Sequence, residues 1–182
     1  MIYYTSDLHF GHGNILKYDF RPFTNIDVMN EAIISNWNST VTNEDTIYVL
    51  GDISWYNLEK TTELVKQLKG NKILIKGNHD IFTKDQYYRM GFNAVYDYKE
   101  IKDNGRDVIL CHYPIPCFNK RFYGAFMLYG HVHNSSEWNY MKDIKRSFEE
   151  LDTKCNMYNV GTMIWNYYPV TLDEIIKSGD KK

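Results

Sequence analysis

The chain has few groups suited to covalent cross-linking, and no membrane anchor is expected of it. Its three cysteines, Cys111, Cys117 and Cys155, are odd in number and scattered, and they form no C-x-x-C pair. Neither a disulfide framework nor a thiolate zinc site is therefore expected. No apolar run approaches the roughly 18 residues that a membrane-spanning helix needs. Met1 leads straight into Ile2-Tyr3-Tyr4-Thr5, with no basic-then-apolar leader ahead of it. The expected location is the cytoplasm, with no membrane partner. A large excess of charge of either sign is missing too. The net charge of −2 over 182 residues offers no general basic field for nucleic acid. No repeat, low-complexity tract or linker interrupts the chain. A single domain over residues 1–177 is expected, with a disordered tail at 178–182.

Apolar residues supply 43% of the chain, enough for a substantial core, and the 16 tyrosines are scattered as packing residues rather than as a stacking platform. Thr24-Asn25-Ile26-Asp27 resembles a capping box, opening a helix that buries Met29, Ala32, Ile33 and Trp37. Residues 46–50 read as a strand. Asn57 caps the next helix, whose buried face is Leu58, Thr61, Leu64, Val65 and Leu68. That helix leads into the strand Ile73-Leu74-Ile75, so the two strands form a parallel β-α-β unit. Further strands are expected over 94–101 and 107–111, joined by a hairpin turn at Asp103-Asn104-Gly105-Arg106. Two more follow over 126–129 and 155–160. Residues 134–154 show little apolar periodicity and read as a surface excursion with a helical piece. Thr171-Leu172-Asp173-Glu174 is a second capping box.

The chemistry lies at the strand ends. Residues 73–80 run from a buried strand through Gly77 into Asn78, His79 and Asp80, so an amide, an imidazole and a carboxylate emerge together. Four other strands do likewise, ending in Asp7 with His9, in Asp52, in His112, and in His131 with His133. Five of the six histidines occupy these ends. Hard oxygen ligands mixed with imidazole, and no thiolate, suit Mn, Fe or Zn. Seven ligands exceed the four that one structural zinc takes, so two ions sharing a bridging carboxylate are expected.

In this order, Asp7-Leu8-His9, Gly51-Asp52, Gly77-Asn78-His79-Asp80, His112 and Gly130-His131-Val132-His133 resemble the motifs of the calcineurin-like metallophosphoesterases. Asn159-Val160-Gly161-Thr162 resembles the closing turn of that family, so the likeness runs from residue 5 to about residue 162. The resemblance implies an α/β fold of two stacked mixed β-sheets flanked by helices, in four layers, with a dinuclear metal site at the carboxyl ends of the strands. It implies that Asp7, His9 and His133 hold one divalent ion, that Asn78, His112 and His131 hold the other, and that Asp52 bridges them. Mn or Fe is expected, with Zn or Ni as further options. A water shared by the ions would attack phosphorus in line, and His79 would protonate the leaving oxygen.

One departure narrows the substrate. Family members that act on phosphoproteins carry G-D-x-x-D-R-G, whereas here Gly51-Asp52 continues as Ile53-Ser54-Trp55-Tyr56. The aspartate that would orient His79 is absent, and so is a phosphate-binding arginine. The expected partner is therefore a small phosphate ester, a diester or nucleotide-like molecule, rather than a phosphoprotein. His12, Asn14, Arg21 and Arg121 are candidate substrate contacts. Two alternatives stand beside this reading. One is a nuclease with Lys120, Arg121, Lys142, Lys145 and Arg146 as a tracking groove. The other is a non-catalytic metal-binding scaffold.

Overall fold

Alternation along the first strands sets the layering. In β1 (Ile2–Thr5) and β2 (Thr46–Val49), Tyr3, Ile47 and Val49 join one apolar cluster, while Tyr4 and Tyr48 join another. A strand whose alternate residues enter two different cores is covered on both faces. A computed structural model of the protein, describing residues 1–179, identifies the covers. The helices α2 (Ile26–Thr40), α3 (Leu58–Gln67) and α4 (Lys84–Met90) pack Met29, Ile33, Trp37, Leu64, Val65 and Tyr87 against the Tyr3 face. On the Tyr4 face lies a second sheet, which contributes Val108, Ile109, Leu110, Met127 and Leu128.

The first sheet runs β1-β2-β3-β4, with β3 at Asn71–Ile75 and β4 at Phe92–Tyr96, and every pairing is parallel. The β-α-β unit between β2 and β3 is thus as the sequence implies. The second sheet runs β5-β6-β7-β8, formed by Tyr98–Asp103, Arg106–Cys111, Phe126–Tyr129 and Asn156–Asn159. It is mixed, with β5 antiparallel to β6 and the others parallel. The expected hairpin joins β5 and β6, with Asn104 and Gly105 both at positive φ.

Several expectations need correction. The run 94–101 is two strands in different sheets, because the ladder between β3 and β4 ends at Ile75 opposite Tyr96. With no partner beyond that point, the chain leaves at Asp97 and pairs with β6 instead. The cap of α2 is Asn25 rather than Thr24, and its side chain accepts from the Val28 N–H at 2.9 Å. Leu58 stays 36% exposed, so α3 buries Thr61, Leu64, Val65 and Leu68 without it. The surface excursion contains a 15-residue helix, α5 (Ser136–Glu150), that packs Trp138, Met141 and Phe148 on the core. Its stripe is hard to read because buried Lys145 interrupts it, lying 4.5 Å over the Tyr158 ring. The short helix α1 (Ile15–Tyr18) follows the loop that carries Asp7 and His9, and α6 (Leu172–Ser178) carries the expected Thr171–Glu174 capping box. Ser178 therefore belongs to a helix, and residues 180–182 of the expected tail lie outside the described residues.

The cap assignment is testable by urea unfolding. Asn25→Ala is expected to lower stability by about 1 kcal/mol, the usual cost of a lost N-cap, whereas Thr24→Ala stays within about 0.5 kcal/mol. The reverse order would restore Thr24 as the cap.

Candidate metal centre

The backbone ladder of the first sheet does not stop where the strands do. The Asp7 N–H donates to Gly51 O and the His9 N–H to Asp52 O, both at 3.0 Å. The Phe10 N–H donates to Ile53 O at 2.9 Å, and the Trp55 N–H donates back to Phe10 O at 2.8 Å. The segments beyond β1 and β2 are therefore zipped together, although their backbones are far from extended. Asp7, His9 and Asp52 adopt φ of 56°, 52° and 56°, and beyond β7 His131 and His133 adopt 70° and 48°. Such left-handed, non-glycine residues cost about 1–3 kcal/mol each and gather at functional sites. Five of the seven expected ligands are held this way.

Their side chains converge. The Asp7, His9 and His133 donors lie within 4.8 Å of one another, as do those of Asp7, Asp52 and His112. His9 Nε2 is 3.1 Å from His133 Nε2, and Asn78 Oδ1 is 3.0 Å from both His112 Nε2 and His131 Nδ1. Asp52 Oδ2 lies between the two sets, 3.7 Å from His9 Nε2 and 3.7 Å from His112 Nε2. Gly77 permits this closeness, because a Cβ there would collide with the Asp52 carboxylate.

The donor set fits divalent cations. His112 Nδ1–H donates to Leu50 O at 2.7 Å, so that in the neutral imidazole Nε2 turns its lone pair toward the amide oxygen of Asn78. Two acceptors 3.0 Å apart repel each other, and a cation between them would relieve that repulsion. His133 Nδ1 lies 3.3 Å from Asp19 Oδ2, the carboxylate–histidine pairing that aims the other nitrogen at a metal. Burial lowers the His133 pKa, but the bond to Asp19 and the charge of Asp7 outweigh it and raise the net value. His9 moves strongly the other way, through burial and the nearby His133, and stays neutral. Burial pushes the Asp52 carboxyl up; His112 opposes that shift and Asp7 adds to it.

A further shell holds these donors. The buried Asp80 carboxylate accepts from the N–H groups of Gly77 at 2.8 Å, Asp52 at 2.9 Å and Ile53 at 3.1 Å. Asn159 Nδ2 donates to His133 O at 2.9 Å, which gives the closing N-V-G-T turn a structural role. Arg21 is not a substrate contact. Its guanidinium is buried and donates to Asp7 O at 2.7 Å, Leu8 O at 3.0 Å and Asp19 at 2.9 Å. Arg121 is also withdrawn, bonded to Thr153 and Lys154 and packed 4.0 Å from the Phe148 ring. Asn14, the N-cap of α1, is exposed and does not line the cleft.

The cleft lined by His9, His131 and His133 has a volume of about 500 Å³, and its lining also includes His12, Tyr18, Trp55, His79 and Glu137. His12 and His79 are thus where the sequence places them, at the edge of the site. Asp19 and Trp55 were not anticipated as site residues, and Asp80, read as a strand-end carboxylate, was given no role. The signal for Asp19 is its place two residues before Arg21, and that for Asp80 is its place in the Gly77–Asp80 motif.

A model of the calcineurin-like phosphoesterase family matches residues 1–172. An uncharacterized protein of Methanocaldococcus jannaschii is 35% identical over 182 residues, covering 99% of this chain and 92% of its own length. The gene 66 protein of Mycobacterium phage L5 is 27% identical over 72% of this chain and 77% of its own length. Among solved structures, a protein of unknown function from Aquifex aeolicus superposes with a TM-score of 0.72 at 28% identity, covering 97% of this chain and 98% of its own. Among the described residues, no helix is long and apolar enough to cross a membrane.

Clustered carboxylates and imidazoles should make the fold sensitive to divalent cations. Binding to the native state alone adds about 2.7 kcal/mol at a hundredfold excess over Kd, so Mn²⁺ is expected to raise Tm and chelator to lower it. An unchanged Tm would contradict the assignment. Asp80→Asn replaces an acceptor of three N–H groups by an amide that presents its own donors. It is expected to lower both Tm and bound metal per chain, measured by elemental analysis, whereas an unaltered metal content would free Asp80 of this role.

Proposed function

The chain belongs to the calcineurin-like phosphoesterase family, and from that premise we propose that it is a dinuclear metal-dependent hydrolase of a small phosphodiester or nucleotide-like substrate. The observation that carries this reading is the convergence of seven donors from five strand ends beside an exposed imidazole, His79. Asp7, His9 and His133 would hold one ion and Asn78, His112 and His131 the other, with Asp52 between them. Ions held there supply charge to the phosphoryl oxygens and lower the pKa of a water. Oxygen and imidazole donors favour Mn or Fe, with Zn or Ni as further occupants. His79 lies in the cleft with its N–H donated to Asp52 Oδ1 at 3.0 Å, so its ring is free to protonate a leaving oxygen.

The diester preference rests on the absence of a guanidinium from the cleft lining, which instead includes Asp19 and Glu137. A dianionic monoester finds little fixed positive charge there. The nuclease reading has weaker support. Of its candidate groove residues, Lys120 pairs with Asp107 and Arg146 with Asp143, and Arg121 and Lys145 are buried.

Metal-free enzyme reconstituted with Mn²⁺, Fe²⁺, Zn²⁺ or Ni²⁺ tests the reading on an aryl phosphodiester and its monoester. The diester is expected to show the higher kcat/KM, and a monoester value about tenfold higher with every metal would overturn the preference. His79→Ala is expected to keep its metal and lose about 10²–10⁴ in kcat, less on nitrophenolate esters. Asp52→Ala is expected to lose metal together with activity. Should His79→Ala lose metal as well, His79 is a ligand and the assignment fails.

A further inference from the structure

The aspartate that would orient a proton-donating histidine is missing from the sequence after Asp52, and among the described residues no carboxylate hydrogen-bonds the ring in its place, Asp52 Oδ1 accepting the His79 backbone N–H instead. Among the described residues, no side chain hydrogen-bonds the His79 imidazole. What touches it is aromatic. The Trp55 ring centre lies 4.1 Å from that of His79 at an interplanar angle of 47°, and His9 lies 6.1 Å away.

Trp55 is itself held on several sides. Its N–H donates to Phe10 O at 2.8 Å, so the zipper between the two ligand loops fixes its backbone. Its indole stacks on His12 at 4.0 Å and 7°, nearly parallel, and lies 5.4 Å from the ligand His9. The loop carrying His12 turns at Gly11, which has φ of 79° and sits against the Tyr56 ring where no Cβ would fit. Tyr56 in turn accepts from Asn30 Nδ2 at 3.0 Å. The motif Phe10-Gly11-His12 and the dipeptide Trp55-Tyr56 therefore interlock, and the product of that interlock is an indole laid against His79.

We propose that Trp55 is the positioning residue of His79: stacked on His12, it holds the imidazole at the cleft where family members that act on phosphoproteins would use a carboxylate. The inference rests on the reading of His79 as proton donor. A ring contact restrains where the imidazole stands without accepting its N–H, so it governs proton delivery and leaves metal binding alone.

The test uses the metal-loaded full chain and two diesters, one with a nitrophenolate and one with an alkoxide leaving group. Trp55→Ala is expected to lower kcat on the alkoxide ester by about 10- to 100-fold, the cost of about 1 Å of misplacement. KM, metal content and the nitrophenolate rate should change little. Trp55→Phe should restore most of the loss. In the His79→Ala background, Trp55→Ala should add no further loss, since the two residues act as a unit. An equal loss on both esters, a loss of metal, failure of Trp55→Phe to rescue, or a full additional loss without His79 would each overturn the proposal while leaving the phosphoesterase reading intact. An undiminished kcat in metal-replete His79→Ala would remove the proton-donor reading and this proposal with it.

Discussion

One buried carboxylate holds the centre in register. Asp80, 5% exposed, gathers the N–H groups of Gly77, Asp52 and Ile53, and so ties the end of β3 to the end of β2. Burial raises its pKa, opposed by the backbone N–H groups that surround it. The effect passes directly to Asp52, whose backbone is pinned by Asp80 while its Oδ1 accepts the His79 N–H. One oxygen of Asp52 is thereby occupied, and the other, Oδ2, is left equidistant from the imidazoles of His9 and His112. A flexible carboxylate would have no reason to stay midway between two ligand sets. A side chain fixed from both ends has no alternative.

The site is locally unfavourable and is stabilised from outside. Asp7 and Asp52 are nearly inaccessible carboxylates set close together, and five donors sit in left-handed backbone. Buried charge without compensation is costly. Part of the compensation is Arg21, whose guanidinium binds the backbone of Asp7 and Leu8 beneath the loop while gripping Asp19. The rest is the depth of packing on either side of the first sheet, where Trp37, Met29 and Ile33 fill one layer and Tyr4, Ile75 and Met127 fill the other.

How much of this was legible depends on the range of the interaction. Strand ends bearing Asp7, His9, Asp52, Asn78, His112, His131 and His133 could be read because short motifs and simple alternation mark them. The parallel unit before β3 and the Thr171 cap were legible for the same local reason. Arg21 and Arg121 were misplaced because charged side chains are ordinarily exposed, and only a distant carbonyl or aromatic neighbour says otherwise. The division of 94–101 at Asp97 is likewise invisible locally, since both halves suit a strand and only the end of β3 decides the break. In α5, buried Lys145 hides a core face that Trp138, Met141 and Phe148 otherwise spell out.

The crossing at Asp97 has a consequence for how the centre comes into being. Every donor before it, Asp7, His9, Asp52 and Asn78, grows from the first sheet, and every donor after it, His112, His131 and His133, grows from the second. Neither half of the chain owns a complete set. His9 meets His133 across 124 residues, and Asn78 meets His131 across 53. Such contacts span more chain than the strand pairings within either sheet, so they carry the larger loop-closure entropy. A cation held between the two sets would be a rivet driven through both sheets, and it would find its full set of donors only where they are docked.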